Sequence, residues 1–590
     1  MAAWYLRSRA DWWAEWLALA AAFVVPAWLS WQRWTDPLVD YGRQAYVAWR
    51  ILEGDRLYTD LAHVFGPLGS YLSAAVMGLL GTSIASLVWF NLFLIGCFTL
   101  LLRSLFGWIG GRLSGLGAAL AFLLLCAFPQ YVFQANFNFV TPYSGDLVYG
   151  LMLAFVCLSL ILRGEPAGIS ERRMAAGGAC FALVMLGKPE VFLALVLAVM
   201  AAYLCTRCAR RQWLAFLGSA LATLIVVFVA LVPSLGSSGA LHAVFAGLIP
   251  VGKMGSAGLL YYRWVSGFDA PWQNVARALA GFLAVLLCAA AGLMLERLER
   301  ARRVAAVALG TGLLVSLPAM FLLQPLQTAV VQQGLGFLPL VVIAVALLAI
   351  FKRRRDTSCP QANAWLVLSV FALGSLLKIV LAARLFHYGF ALSMPAVALV
   401  VARLLADPTQ EGRVWWWRRL PLFALGLALV LAHLDTSRRH YALRNLELRS
   451  DGEHLRVFGE DRDSRGPWIQ AFLDWQEEGI APGTTMLVLP DAAMLNFLSR
   501  HAAGTPYYAL PSPELAFHGE AAVLTALRRQ PPDFVVLVDQ GSVLLGRFGQ
   551  TGYGREILAW VATDYEPLVL FGAEPLTGQG FGIGVLRYRH

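Results

Sequence analysis

Arginine clusters divide the chain into long apolar runs, and that division leaves few folds open. Runs near 14–31, 84–102, 113–130, 146–162, 174–187, 190–206, 212–233, 276–295, 304–323, 335–351, 363–383, 388–405 and 420–435 are rich in Leu, Val, Ala and Phe. With some tilt, each approaches the roughly 30 Å of hydrocarbon that a membrane-spanning helix must cross. A backbone in lipid has to satisfy its own hydrogen bonds, so the expected architecture is a polytopic α-helical membrane protein of about 13 spans. The balance of 59% hydrophobic to 14% charged residues, with a mean hydropathy of +0.64, is too apolar for a water-soluble domain.

The net charge of +10 falls in short clusters between the runs rather than in a stripe, which argues for membrane topology and against nucleic acid. With Arg7 and Arg9 inside, alternation puts Arg103 with Arg112, Arg172 with Arg173, Arg207 to Arg211, Arg297 to Arg303, Lys352 to Arg355 and Arg413 to Arg419 all on the cytoplasmic side. The N-terminus is then cytoplasmic and the C-terminus extracytoplasmic. A further apolar stretch, Pro67 to Gly81, would invert every later loop if it crossed, so it reads as interfacial or re-entrant. The first run contains "ALAAA", small residues suited to signal cleavage, but its length and weak cationic flank favour a retained span. The eight cysteines lie in apolar runs or beside basic loops and offer no disulfide framework.

Two regions follow. Residues 1–435 form the membrane module, with 32–83 as a first periplasmic loop carrying interfacial helices, and 436–590 form an extracytoplasmic α/β domain. In the latter, "TTMLVLP" (Thr484 to Pro490), "DFVVLVD" (Asp533 to Asp539) and "FGIGVLRYR" read as strands, and "ELAFHGEAAVLTALRRQPP" as one helix. It has no glycine-rich phosphate loop and no nucleophile elbow, which leaves it a role in support or acceptor recognition.

Ionisable groups at a membrane edge are costly unless paired or functional. On the outward side the topology gathers Asp36, Asp40 and Arg43 of the first loop, "FNFVTPYSGD" with Tyr143 and Asp146, the Lys188–Glu190 hairpin, the Lys253 and Arg263 loop, and "ARLFHYGF" with Arg384, His387 and Tyr388. Asp40 opens a helix-like stretch that ends at Gly54. It is either a general base at the membrane surface or an N-cap that satisfies helix amides. The tyrosines suit sugar stacking or an interfacial aromatic belt, and both readings stay open.

The stretches "DYGRQAYVAWRILEGDRLYTDLAHVFGPLGSY", "FNFVTPYSGDLVYG", "MLGKPEVFLAL" and "HYGFALSMPA", in this order between apolar runs, resemble the bacterial integral-membrane glycosyltransferases of the GT-C superfamily, and most of all the family-39 and aminoarabinose-transferase-like branch. The resemblance implies transfer of a sugar, with inversion, from a polyprenyl-monophosphate donor to a lipid, glycan or protein acceptor at the outer face of a bacterial inner membrane. It puts the catalytic acids at Asp40, which would deprotonate the acceptor, and Asp146, with Asp36 the rival to Asp40. Substrate contacts would come from Lys188, Glu190, Arg384, His387, Tyr388, Tyr143 and Arg43. Many relatives carry an acid at the position of Gln44; its absence here argues against a divalent metal, and no cofactor is expected. A polytopic transporter or a non-catalytic scaffold of envelope-polysaccharide assembly is the alternative. The first would show repeated halves, and the second would tolerate loss of Asp40.

Overall fold

A computed structural model describes residues 2–163, 169–206, 208–249, 259–356, 359–406, 414–539, 546–549 and 552–589; Arg207, Lys253 and Arg413 lie outside the described residues. Its helices begin and end where the sequence is punctuated. Ser83 caps Ile84–Gly110, its Oγ accepting from Ser86 N at 3.1 Å, and Gly111 at φ 91° stops that helix. Proline occupies the first turn of Pro189–Cys205, Pro271–Ala301 and Pro360–Leu376, where its missing N–H costs nothing. Arg210–Phe245 is broken near Gly236, three residues after Pro233, at φ 69°.

Eight described helices are long and apolar enough to cross a membrane, or nine if Gln324–Gln333 and Leu338–Arg355, bent by 56°, make one span. The expected count of about 13 is therefore not what helix length supports. Arg112–Ala127, Pro189–Cys205 and Gly389–Leu405 coincide with expected spans but are shorter, and Glu171–Met185 has 15 residues beginning with three charged ones. Fifteen residues reach only about 22 Å. Leu68–Leu80, with 13 residues, reaches about 20 Å and falls short of a crossing in the same way.

At one end of the bundle the amphipathic helix Tyr41–Leu52 lies between Leu68–Leu80 and a C-terminal helix, Ala493–Ser499. Its Ala45, Tyr46, Val47 and Ala48 are almost wholly buried. The approach to Ala493–Ser499 is close enough that a Cβ on Gly42 would meet the Met494 backbone at 2.5 Å. The last long helix, Val414–Ala442, runs beyond the composition change at 435.

The strands follow it. β1 (Arg444–Ser450) and β2 (Glu453–Phe458) form an antiparallel hairpin that the sequence reading missed. β3 (Met486–Leu489), β4 (Phe534–Val538), β5 (Tyr565–Gly572) and β6 (Gly582–Tyr588) form a sheet in the order β3-β4-β6-β5. β3 and β4 are parallel, which requires a crossover. The stretch read as one helix is two, Ser512–His518 and Glu520–Arg529, because Gly519 turns the chain at φ 84°. This layer rests on the bundle through buried polar contacts. Glu453 accepts from Ile84 N at 3.1 Å, and Arg465 reaches Asp36 at 3.3 Å.

Candidate active site

The two rival aspartates of the first loop have opposite surroundings. Asp36 is fully buried; it accepts from the amides of Leu38, Val39 and Ala135 and is paired with Arg465. Burial works against its charge, but Arg465 and those amides hold its carboxyl below the usual range. Every acceptor position is in use, and Asp36 belongs to the joint between bundle and strands.

Asp40 lines a cavity of about 360 Å³ between the first loop, the bundle and the C-terminal layer. It stands at the N-cap position of Tyr41–Leu52, yet its side chain makes no capping bond. Instead Oδ2 accepts from Asn136 N at 3.0 Å, and Oδ1 accepts no hydrogen bond among the described residues. Its backbone sits at φ 65°, ψ −89°, a region L-residues rarely occupy, so the surrounding loops over-determine its position. The Asn136 side chain ties those loops together: Oδ1 accepts from Asp36 N at 3.2 Å, and Nδ2 donates to Trp34 O and Thr141 Oγ1 at 3.0 Å. Burial, only partly offset by Arg43, raises the Asp40 pKa to about 7.

The cavity's other wall is cationic and aromatic. Lys188, at the start of Pro189–Cys205, places Nζ 2.9 Å from the centroid of the Phe65 ring. Glu190 is paired with Lys378 at 2.9 Å, and Lys378 lies over the Tyr388 ring at 4.3 Å. Tyr143 packs edge-on against Tyr388, their centroids 4.8 Å apart, and Tyr261 donates to Tyr388 Oη at 2.7 Å. All of these side chains reach the cavity together with Asp40.

Asp146 and Arg43 also reach it, and each ties two elements together. Asp146 Oδ1 accepts from Gly69 N at 2.6 Å, holding the first turn of Leu68–Leu80 against the start of Gly145–Leu162. Arg43 makes a two-point bond with Asp491 and pairs with Glu514 at 2.9 Å, joining Tyr41–Leu52 to the C-terminal layer. Gln44 donates to Ser73 Oγ at 2.7 Å and accepts from Gly145 N at 2.8 Å. Glu190 and Glu514 are thus taken by cations, and among the described residues no group of three or more His, Cys, Asp or Glu could hold a metal ion.

Arg384 and His387 stand behind the wall rather than on it. Arg384 stacks on Trp264 at 4.4 Å, and burial lowers its pKa to about 10, leaving it charged at neutral pH. His387 Nε2 lies 3.3 Å from Tyr261 Oη, and its ring packs on Phe137 at 4.2 Å. Burial, reinforced by Arg384, keeps His387 neutral, so it supports Tyr261 and supplies no charge. The sequence reading overlooked Lys378, whose signal was a lone lysine in the apolar run 363–383, and Tyr508 with Glu514, which had none. His63 lines the cavity too, between Tyr508 Oη at 3.2 Å and Ser70 Oγ at 3.4 Å.

No protein-family model and no curated protein sequence matches the chain. Solved structures do. ArnT from Cupriavidus metallidurans, bound to undecaprenyl phosphate, aligns over 97% of both chains at 13% identity with a TM-score of 0.50. The oligosaccharyltransferase AglB from Archaeoglobus fulgidus, in complex with an inhibitory peptide and a dolichol-phosphate, aligns over 97% of this chain and 74% of its own at 13% identity and a TM-score of 0.48. The arabinofuranosyltransferase AftD from Mycobacteria aligns over 96% and 41% at 15% identity and 0.41. The chain has the fold seen in the ArnT structure.

Proposed function

We propose that the protein is an inverting glycosyltransferase that moves a sugar from a polyprenyl-monophosphate donor to an acceptor hydroxyl, at the periplasmic face of a bacterial inner membrane. One observation carries this reading. A carboxylate with an unengaged oxygen, Asp40, lines the same cavity as Lys188, whose ammonium has no ion pair among the described residues. The ArnT structure of the same fold holds undecaprenyl phosphate, which supports a lipid-phosphate donor. Asp40 takes the acceptor proton as the acceptor oxygen attacks the anomeric carbon. The bond to phosphate breaks on the opposite face, and its electron pair leaves with the lipid phosphate, which Lys188 stabilises. Tyr143 and Tyr388 face the sugar, while Asp146, Glu190 and Arg43 hold the walls in place. Arg384 and His387 act through Trp264 and Tyr261.

The test is transfer from a radiolabelled polyprenyl-phosphate sugar in membranes, comparing wild type with Asp40→Asn at matched expression. Loss of transfer by an inserted, folded variant supports Asp40 as the base. Equal transfer removes it from that role, and no transfer by either version with any donor favours the transporter or scaffold alternative.

A further inference from the structure

The charges on the cavity wall are unevenly engaged. Of its three cations, Arg43 is held by Asp491 and Glu514, and Lys378 by Glu190. Among the described residues that line the cavity, only Lys188 has neither a carboxylate within ion-pair distance nor a hydrogen-bond acceptor. Four carboxylates share the same wall: Asp40, Asp146, Glu190 and Glu514. One uncommitted ammonium matches one phosphate, that of the donor, and leaves none for a second. The segment contributed by the C-terminal layer, from Tyr508 to Glu514, brings one acid and no base to the cavity. A phosphate monoester approaching there would meet Asp40 and Glu514, and the cation beside them, Arg43, is already held by Asp491 and Glu514, a like-charge juxtaposition that excludes wrong partners.

What the wall offers in place of cations is flat and weakly polar. Tyr143, Tyr388 and Tyr508 line the cavity with Pro511 and Pro513. Such surfaces suit the C–H faces of pyranose or furanose rings, and the tyrosine hydroxyls suit ring substituents. None of the six strands among the described residues lines the cavity, so an extended peptide finds no strand edge of theirs to pair with there.

From this charge balance we infer that the acceptor is a hydroxyl group of a neutral glycan, an assignment that rests on the transferase reading above. In the step, the glycan O–H gives its proton to Asp40 and its oxygen bonds to the anomeric carbon. The carbon–oxygen bond to phosphate breaks, releasing polyprenyl phosphate beside Lys188. The products are an extended neutral glycan, a protonated Asp40 and the free lipid phosphate, so no other reactant is consumed.

The experiment gives the full-length protein in detergent a radiolabelled polyprenyl-phosphate sugar and one of three acceptors: a neutral oligosaccharide, the same oligosaccharide carrying a phosphate monoester, or a serine-containing peptide. Released lipid phosphate is measured beside labelled product. Transfer to the neutral oligosaccharide at least about tenfold faster than to the other two is expected. Glu514→Gln should narrow the gap to the phosphorylated sugar by removing one of the carboxylates that repel it, with Arg43 still held by Asp491. Equal or faster transfer to the phosphorylated sugar or to the peptide overturns the inference and leaves the transferase reading intact. No donor consumption with any of the three, in wild type and in Asp40→Asn alike, overturns both.

Discussion

Sugar transfer should be fastest near pH about 7 and fall on either side without unfolding the protein, because Lys188, whose pKa burial lowers to about 7, must keep its proton while Asp40 must have lost its own. Burial raises the Asp40 pKa to about 7, so each further unit of acidification below that value costs another factor of about ten. The sign follows for stability as well. A carboxyl whose folded pKa lies above its usual 3.8 favours the folded state most when protonated, and that contribution is lost as the pH rises toward about 7. Keeping Asp40 ionised above that pH costs up to about 4 kcal/mol relative to an exposed aspartate. Asp40→Asn should therefore be inactive yet at least as stable as wild type at pH about 8. Arg43 is the cation that most offsets burial, so Arg43→Gln should move the acid-side inflection upward, and Glu514→Gln, which leaves more of that charge uncompensated, should move it downward. The assay is single-turnover transfer from a radiolabelled lipid-phosphate sugar across the pH range, with thermal unfolding in the same detergent. A flat profile between about pH 5.5 and 8, or an Asn variant that keeps the wild-type profile, would refute the assignment.

Lys188→Met should reduce transfer about 10²- to 10³-fold, with Lys188→Arg recovering part of it, as measured by initial rates and by retention of added polyprenyl phosphate. Asp36→Asn should act on folding: Arg465 keeps Asp463 but loses its second buried carboxylate, and the loss costs about 1–3 kcal/mol, seen as a lower Tm that Asp40→Asn does not share. Gly42→Ala puts a methyl group into the Met494 backbone, so limited proteolysis should release the C-terminal layer faster than in wild type.

The broad architecture was legible because apolar length and basic clusters follow from the bilayer itself. Helix count was less so. An apolar run in the sequence gives no sign that Gln324–Gln333 bends away from Leu338–Arg355. Within the site, Asp40 and Asp36 are four residues apart and chemically alike, and only Arg465, 429 positions from Asp36, separates structural acid from cavity acid. Arg43 looked available for phosphate until Asp491 and Glu514 took it, and no local pattern encodes such a pairing. Arg384 and His387 were placed at the right end of the bundle, but their side chains turn to Trp264 and Tyr261, a choice made by packing.

The contacts of Arg43 also bear on biosynthesis. Its partners Asp491 and Glu514 are 448 and 471 residues farther along the chain, so the helix carrying Asp40 is laid into the membrane long before the wall that faces it has been translated. A nascent or truncated chain that ends among the apolar helices therefore has its acid in place but no enclosed chamber around it. Only the finished polypeptide assembles both sides of the cavity.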